Sequence, residues 1–254
     1  MPEEEEGLAK ELKDENVRKV FQRVFDRQTI QAIHSLAMKG NFKHLEFLIS
    51  EGKEALVFRA VDDSGSFKAV KVYKITASTF KNMLPYIQGD PRFKKVRNEK
   101  TDLVMAWCRK EFRNLEECAK AKVSAPLPNV FLQNALVMEF IGDKEGNAAP
   151  VLKTIVSELD WWDVYRQVVE NFARMVFKAK LVHADLSEFN MLYQDGKIVF
   201  IDLGQAVSLQ HPKAREFLDR DLKNIARFFS KKGVQKSAEE IKEDLRKLKA
   251  KELS

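Results

Sequence analysis

Cysteine is scarce. The 254 residues include only Cys108 and Cys118. They lie ten apart in a stretch of helical pattern, with no Cys-x-x-Cys and no histidine at ligand spacing. Neither a disulfide framework nor a structural metal site is expected, and a reducing cytoplasm is the natural compartment. Long apolar runs are also missing. No stretch approaches the roughly 18 residues of a membrane span, so no membrane partner is expected. The opening MPEEEEG is acidic and lacks the apolar core of a secretory signal, so none is expected. No internal repeat is visible.

What remains is ample for a packed core. The length suits one bilobal domain or two small ones, and 44% hydrophobic with 32% charged residues places the chain in the soluble globular class. A net charge of +6 and a pI near 9.1 favour polyanions: RNA, ribonucleoprotein or nucleotide phosphates. Ordinary solubilising charge reads equally well.

Residues 8–40 predict one or two amphipathic helices. Val17, Val20, Phe21, Val24 and Phe25, then Thr29, Ile30, Ile33, Leu36 and Ala37, recur at helical spacing up to a stop at Gly40 and Asn41. They read as an N-terminal helical extension over 1–41, packed on the domain behind it, with a small nucleic-acid-binding unit as the alternative. Three strands follow: HLEFLIS (44–50), LVFRAVD (56–62) and FKAVKVYK (67–74), joined by polar turns around Gly52 and Gly65. This predicts an antiparallel meander with Lys71 in its last strand. Residues 75–98 show no clean period, carry Pro85, Gly89 and Pro91, and read as a flexible loop. Residues 99–122 predict a helix, broken by Ala125-Pro126-Leu127-Pro128. VFLQ (130–133) and ALVMEFI (135–141) predict two more strands, and 142–147 a flexible connector at a lobe boundary. Helices are expected at 161–180, 214–230 and 238–253. The pattern divides the chain into a β-rich half with one helix over 42–141 and a mainly helical half over 142–254.

Chemistry concentrates in LVHADLSEFNMLYQDGKIVFIDLG (181–204). His183-x-Asp185 is followed five residues after the aspartate by Asn190, and twelve residues later by Asp202-Leu203-Gly204. That spacing matches phosphoryl transfer, in which the first Asp accepts the proton of the attacking group while the Asn and second Asp hold magnesium. Magnesium takes about six oxygens, few of them from protein. Asn190 and Asp202 leave room for phosphate and water, and Asp185 stays free to orient a hydroxyl or water. The motif alone is weak. It gains weight from order: Lys71 on a third strand, a Glu-bearing helix, a strand pair entering a Gly-containing hinge, and Asp-Leu-Gly closing a hairpin. Together these predict an α+β, bilobal, protein-kinase-like fold: a β-rich N-lobe with one helix and a mainly helical C-lobe. Lys71 would bridge the α- and β-phosphates; otherwise it is a surface lysine on an exposed strand. Its carboxylate partner is Glu111, Glu116 or Glu117, with Glu111 nearest the middle of the helix. Ser50-Glu51-Gly52-Lys53 has one glycine where kinases usually show G-x-G-x-x-G, and alone would pass for a turn. Even so, backbone N–H groups, Ser50 and Lys53 are placed to meet phosphates.

SEGKEALVF (50–58), AVKVYK (69–74), WCRKEFRNL (107–115), MEFIG (138–142), LVHADLSEFNML (181–192) and IDLGQAV (201–207) together resemble the RIO family of atypical serine protein kinases, and within it the type-1, archaeal-like members. The resemblance covers about residues 42–230. WCRKEFRNL supports Glu111 as the partner of Lys71, and Ser187 stands where most protein kinases place Lys. The resemblance implies ATP with Mg2+ (or Mn2+), serine autophosphorylation, and a role in maturation of the small ribosomal subunit with its rRNA and proteins as partners. It implies adenine held by the backbone at Glu139 and Ile141, and an Asp202 that accepts phosphate during ATP hydrolysis. QAVSLQHPKAREFLDRD (205–221) enters a helix almost at once, with no Ala-Pro-Glu, so the usual activation segment is lacking. Asp219 and Asp221 either anchor the catalytic loop or belong to a solvated helix face. A small-molecule phosphotransferase of the aminoglycoside or choline kinase type shares the motif but usually carries acidic insertions, absent here. A pseudoenzyme that binds RNA is disfavoured by the joint presence of Lys71, Asp185, Asn190 and Asp202.

Overall fold

The structure, a computed structural model, describes residues 25–75, 80–93, 99–155 and 159–252. The predicted apolar positions Val17, Val20, Phe21 and Val24 lie outside them. The chain forms two compact units. The first takes the described residues of Met1–Ile87 and Lys95–Phe112 with Leu127–Ile141; the second takes those of Gln88–Lys94 with Arg113–Pro126 and Gly142–Ser254.

The first unit is built on a five-stranded antiparallel sheet in the order β1-β2-β3-β5-β4. Its strands are β1 (His44–Glu51), β2 (Ala55–Val61), β3 (Phe67–Tyr73), β4 (Pro128–Leu132) and β5 (Ala135–Glu139). The meander closes as the turn residues direct. Asp62 accepts hydrogen bonds from Ser64 N (3.0 Å) and Ser66 N (2.9 Å), a local side-chain turn that leaves Gly65 at φ +83°. Helix α1 (Arg27–Met38) is capped by Asp26, whose carboxylate accepts from Thr29 N at 2.8 Å. It buries Ile33 and Leu36 against Leu45, Leu56, Phe58, Val70 and Val137. Asn134, fully buried, pins the arrangement by donating to Thr29 Oγ1 (2.9 Å) and Tyr73 O (2.8 Å).

Two stretches differ from expectation. Residues 75–98, read as irregular, contain helix α2 (Phe80–Ile87) and a 3-10 turn (Pro91–Phe93). Pro85, inside α2, and Gly89 with Pro91 just beyond it mimic a loop in sequence. What orders the stretch is burial of Met83, Ile87 and Phe93, a tertiary effect. The 142–147 connector is a closed turn: Asp143 accepts from Asn147 N (2.7 Å) and Nδ2 (2.8 Å), and Gly142 bridges Ala148.

The second unit packs α4 (Trp161–Phe177), α5 (Ala214–Ser230) and α6 (Ala238–Glu252) against one another. Tyr165 stacks edge-on to Phe229 with ring centroids 5.3 Å apart and donates to Asp244 at 2.8 Å, joining all three helices. Helix α3 (Lys100–Lys120) runs from the first unit into the second. Just after it, Ser124 and Asn171 exchange two hydrogen bonds, and Ser124 Oγ donates to Ile198 O at 2.7 Å. Ile198 lies in β8 (Lys197–Phe200), which pairs with β7 (Met191–Gln194) through Asp195-Gly196. Both turn residues have φ > 0, +49° and +81°, the backbone of a type I′ hairpin. β6 (Leu181–Val182) pairs with β9 (Val207–Ser208).

Candidate active site

In the first unit, Lys71 sits on the central strand, paired to Val57 on one side and Leu136 on the other. Its ammonium lies 2.9 Å from each carboxylate oxygen of Glu111. The side chains are 9% and 1% exposed, so this pair is desolvated, not a surface contact. Lys71 Nζ also lies 5.2 Å from the Tyr73 ring centroid. Of the three candidate partners, then, the structure brings Glu111 to Lys71. Ser50 is the penultimate residue of β1, and Lys53 is exposed in the β1–β2 turn. Lys74 stiffens that turn, reaching Glu51 Oε1 and Gly52 O at 3.0 Å. Glu139 ends β5. Its N–H donates to Leu127 O at 2.8 Å and its carboxylate accepts from Leu127 N at 3.0 Å, so its N–H is already engaged. Ile141 is buried two residues on.

In the second unit the β6–β9 pair brings the loop after Val182 beside the turn before Val207. His183 is fully buried, and its Nε2 donates to Ile201 O at 3.0 Å. Ile201 N in turn donates to Asn190 O at 3.0 Å. Asn190 Nδ2 donates to Asp185 O (2.8 Å) and Asp185 Oδ2 (3.1 Å), and Gln205 Nε2 reaches the same Oδ2 at 3.3 Å. Ala184 and Asp202 hold left-handed backbone, φ +67° and +61°, which only a well-braced loop sustains in non-glycine residues.

The bracing comes from α5. Asp221, fully buried, accepts from Ala184 N at 2.8 Å and Leu186 N at 2.9 Å. Arg220 donates to Ala184 O, and Asn224 Nδ2 to Leu186 O at 3.3 Å. Asp221 is therefore the anchor of the loop, whereas Asp219 faces Lys242 at 3.2 Å. Burial pushes the Asp221 carboxyl up to about 7, against the two N–H donors that favour its charge. Asp185 is also held above the usual carboxylate range, by burial first and then by the charge of Asp202.

The donor set fits a hard divalent cation. With its Nδ2 committed to Asp185, Asn190 has Oδ1 as its coordinating atom. Asp202 is exposed, and the mutual repulsion of Asp185 and Asp202 is what a cation would relieve. Among the described residues no cluster of three or more His, Cys, Asp or Glu is placed to hold a metal. Two protein oxygens, with phosphate and water completing the shell, is the usual magnesium arrangement.

Residue patterns did not single out Asn114, Arg92, Arg220 or Gln205. Asn114 and Gln205 lie inside quoted motifs, WCRKEFRNL and IDLGQAV, but a polar residue at those positions has no signature of its own.

The RIO domain model matches residues 56–242. The RIO-type serine/threonine-protein kinase Rio1 of Haloferax volcanii is 42% identical over 232 residues, 91% of this chain and 79% of that protein. Its namesake in Thermoplasma acidophilum is 45% identical over 192 residues, 76% of this chain and all of that one. Among solved structures, the crystal structure of the Rio2 kinase-ADP/Mg2+-phosphoaspartate complex from Chaetomium thermophilum superposes with TM-score 0.64 at 22% identity, over 82% of this chain and 61% of that chain. The expected kinase-like α+β fold is thereby shown. By these matches the chain belongs to the RIO family, on its type-1 branch.

Proposed function

We propose that this protein is an ATP- and Mg2+-dependent serine/threonine protein kinase of the RIO type, with ATPase activity. The observation that carries this reading is the buried Lys71–Glu111 pair in one unit together with the Asp185–Asn190–Asp202 constellation in the other. The names of its archaeal relatives agree. Lys71, held extended by Glu111, offers a fixed ammonium to the phosphates. Asn190 Oδ1 and Asp202 would hold the cation, which offsets phosphate charge when bound. The Glu139 carbonyl and the Ile141 amide would take the adenine edge, with Ser50 and Lys53 beside the phosphates. Asp185 accepts the hydroxyl proton of the acceptor as its oxygen bonds the γ-phosphorus and the bond to the ADP oxygen breaks. A raised Asp185 pKa suits a base, bringing its proton affinity closer to the working pH.

The finer reading is that the chain autophosphorylates on serine, acts on the maturing small ribosomal subunit, and passes phosphate through Asp202. In that route an Asp202 oxygen attacks the γ-phosphorus, ADP leaves, and water later cleaves the acyl phosphate. A phosphoaspartate is named for the Rio2 structure of the same fold. The short run from Gly204 to α5, only 205–213, favours it, because it offers little backbone for a peptide platform. The basic balance of the chain suits a ribonucleoprotein partner. Free, buried Cys108 and Cys118 suit the reducing cytoplasm.

The test is incubation with γ-labelled ATP and Mg2+. Label that resists acid, is released by hydroxylamine and is lost in Asp202→Ala is the expected result. Label found only as stable phosphoserine would remove the acyl-phosphate route and leave the kinase reading standing.

A further inference from the structure

The stretch Gln88–Phe93 does something its sequence does not suggest. Asp90 is 1% exposed and grips Arg92: Nε donates to Oδ1 at 2.9 Å and Nη2 to Oδ2 at 2.7 Å. Arg92 Nη1 in turn donates to Asn114 Oδ1 at 2.9 Å. Asn114 is fully buried on α3, and with its oxygen so occupied its amide nitrogen can only point one way. It donates to Leu203 O at 2.7 Å and to Ala206 O at 2.8 Å. Those two carbonyls bracket the turn that follows Asp202, closed by Ala206 N donating to Leu203 O at 3.2 Å.

The same stretch grips the chain a few residues later. His211 Nε2 donates to Gln88 O at 3.0 Å, with Nδ1 accepting from Lys213 N at 3.1 Å. Gly89, at φ +91°, lies so close to Pro212 that a Cβ there would meet its Cδ at 3.0 Å. Gln88–Phe93 thus clamps both ends of residues 203–212, the short span that stands where other kinases have their activation segment.

We propose that Asn114 is the positioning residue for Asp202, and that the Asp90–Arg92 pair locks Asn114 in that role. Asp202 sits in left-handed backbone directly before the bracketed turn. The two Asn114 bonds hold that turn closed and so fix where the Asp202 carboxylate points. The consequence for cation binding rests on the reading of Asp202 as a cation ligand given above; the bracket itself does not.

The test uses the full chain and four variants: Asn114→Ala, Asn114→Asp, Arg92→Gln and Asp202→Ala. Asn114→Asp keeps the size and the acceptor for Arg92 but removes both donors. Two readouts are taken: amide hydrogen exchange over 203–206 in nucleotide-free protein, with 214–230 as internal control, and the Mg2+ concentration that half-saturates binding of a fluorescent ATP analogue. Both Asn114 variants are expected to speed exchange over 203–206 selectively and to raise the half-saturating Mg2+ about tenfold, the effect of losing one or two buried hydrogen bonds. Arg92→Gln moves both readouts in the same direction by less, and analogue binding without Mg2+ stays as in wild type. Wild-type exchange in Asn114→Asp and Arg92→Gln overturns the proposal. If the Asn114 variants fail to fold, Arg92→Gln decides alone, by selective fast exchange or its absence. If Asp202→Ala keeps the wild-type Mg2+ requirement, the cation-ligand reading fails, and the exchange result still judges the bracket.

Discussion

At the scale of the residue, the Lys71–Glu111 pair shows how burial changes what a mutation does. Both ends are nearly inaccessible. Removing one charge strands the other, which costs about 3–5 kcal/mol, whereas replacing both with apolar groups of similar size is far milder. Lys71→Met is therefore expected to lower the urea-unfolding free energy strongly, and Lys71→Met with Glu111→Leu to recover much of the loss. A double-mutant cycle by urea unfolding checks this. Asp185→Asn is expected to reduce ATP turnover by about 10²- to 10⁴-fold, the usual contribution of a positioned base, while the dissociation constant for ATP changes little. Turnover near wild type would remove Asp185 from the base role.

Asp221 carries a pH signature. Its carboxyl ionises near 3.8 in the unfolded chain and at about 7 in the fold. Between those values the folded protein holds the extra proton, so raising the pH favours the unfolded chain. The contribution of this group to stability is greatest at the acid end, falls as pH rises from about 4 to about 7, and is level above that. Asp185, also raised, adds a slope of the same sign. Asp221→Asn is expected to flatten the slope, seen as a smaller change in the urea midpoint between about pH 4.5 and pH 7.5. It also loses one of two acceptors for the Ala184 and Leu186 amides, so turnover should fall with it.

At the scale of the element, the glycine in the Gln88–Phe93 stretch is the sharpest probe. Gly89→Ala meets both an unfavourable left-handed φ and the Pro212 ring. A loss of about 1–3 kcal/mol is expected, read by chemical denaturation. The same change at Gly65 meets open space and should cost only the backbone strain. Local patterns announced many elements. Residues 214–230 form the predicted helix end to end, and the three meander strands fall within a residue of their expected limits. These elements rest on hydrophobic period and turn chemistry, which are local. Helix α2 and the Pro91–Phe93 turn do not. Their proline and glycine content favours a loop, and only burial of Met83, Ile87 and Phe93 outweighs it.

At the scale of the whole molecule, bound ATP with Mg2+ should stabilise the fold by mass action. At ligand concentrations about 100 times the dissociation constant, about 2.7 kcal/mol is expected. A thermal-shift series with ATP alone, then with Mg2+, should show an Mg2+-dependent increment that Asp202→Ala abolishes. An unchanged increment in that variant would count against Asp202 as a ligand. No helix among the described residues is long and apolar enough to cross a membrane.

The sequence by itself determined the order of the five sheet strands and of the longer helices, the candidate site residues and the family resemblance, because each is written in local spacing: alternation in a strand, His-x-Asp-x-x-x-x-Asn in a loop, Asp-Leu-Gly after a hairpin. Position in the helix and the WCRKEFRNL motif pointed to Glu111 as the partner of Lys71, and the tertiary structure brings that carboxylate, not Glu116 or Glu117, to the ammonium. It also resolved Asp219 from Asp221, two neighbours of which one is buried under the loop amides and the other faces Lys242. And it revealed the Asp90–Arg92–Asn114 relay, in which the local Asp90–Arg92 pair meets Asn114 from 22 residues away, because the buried Asp90 and Asn114 side chains must find partners.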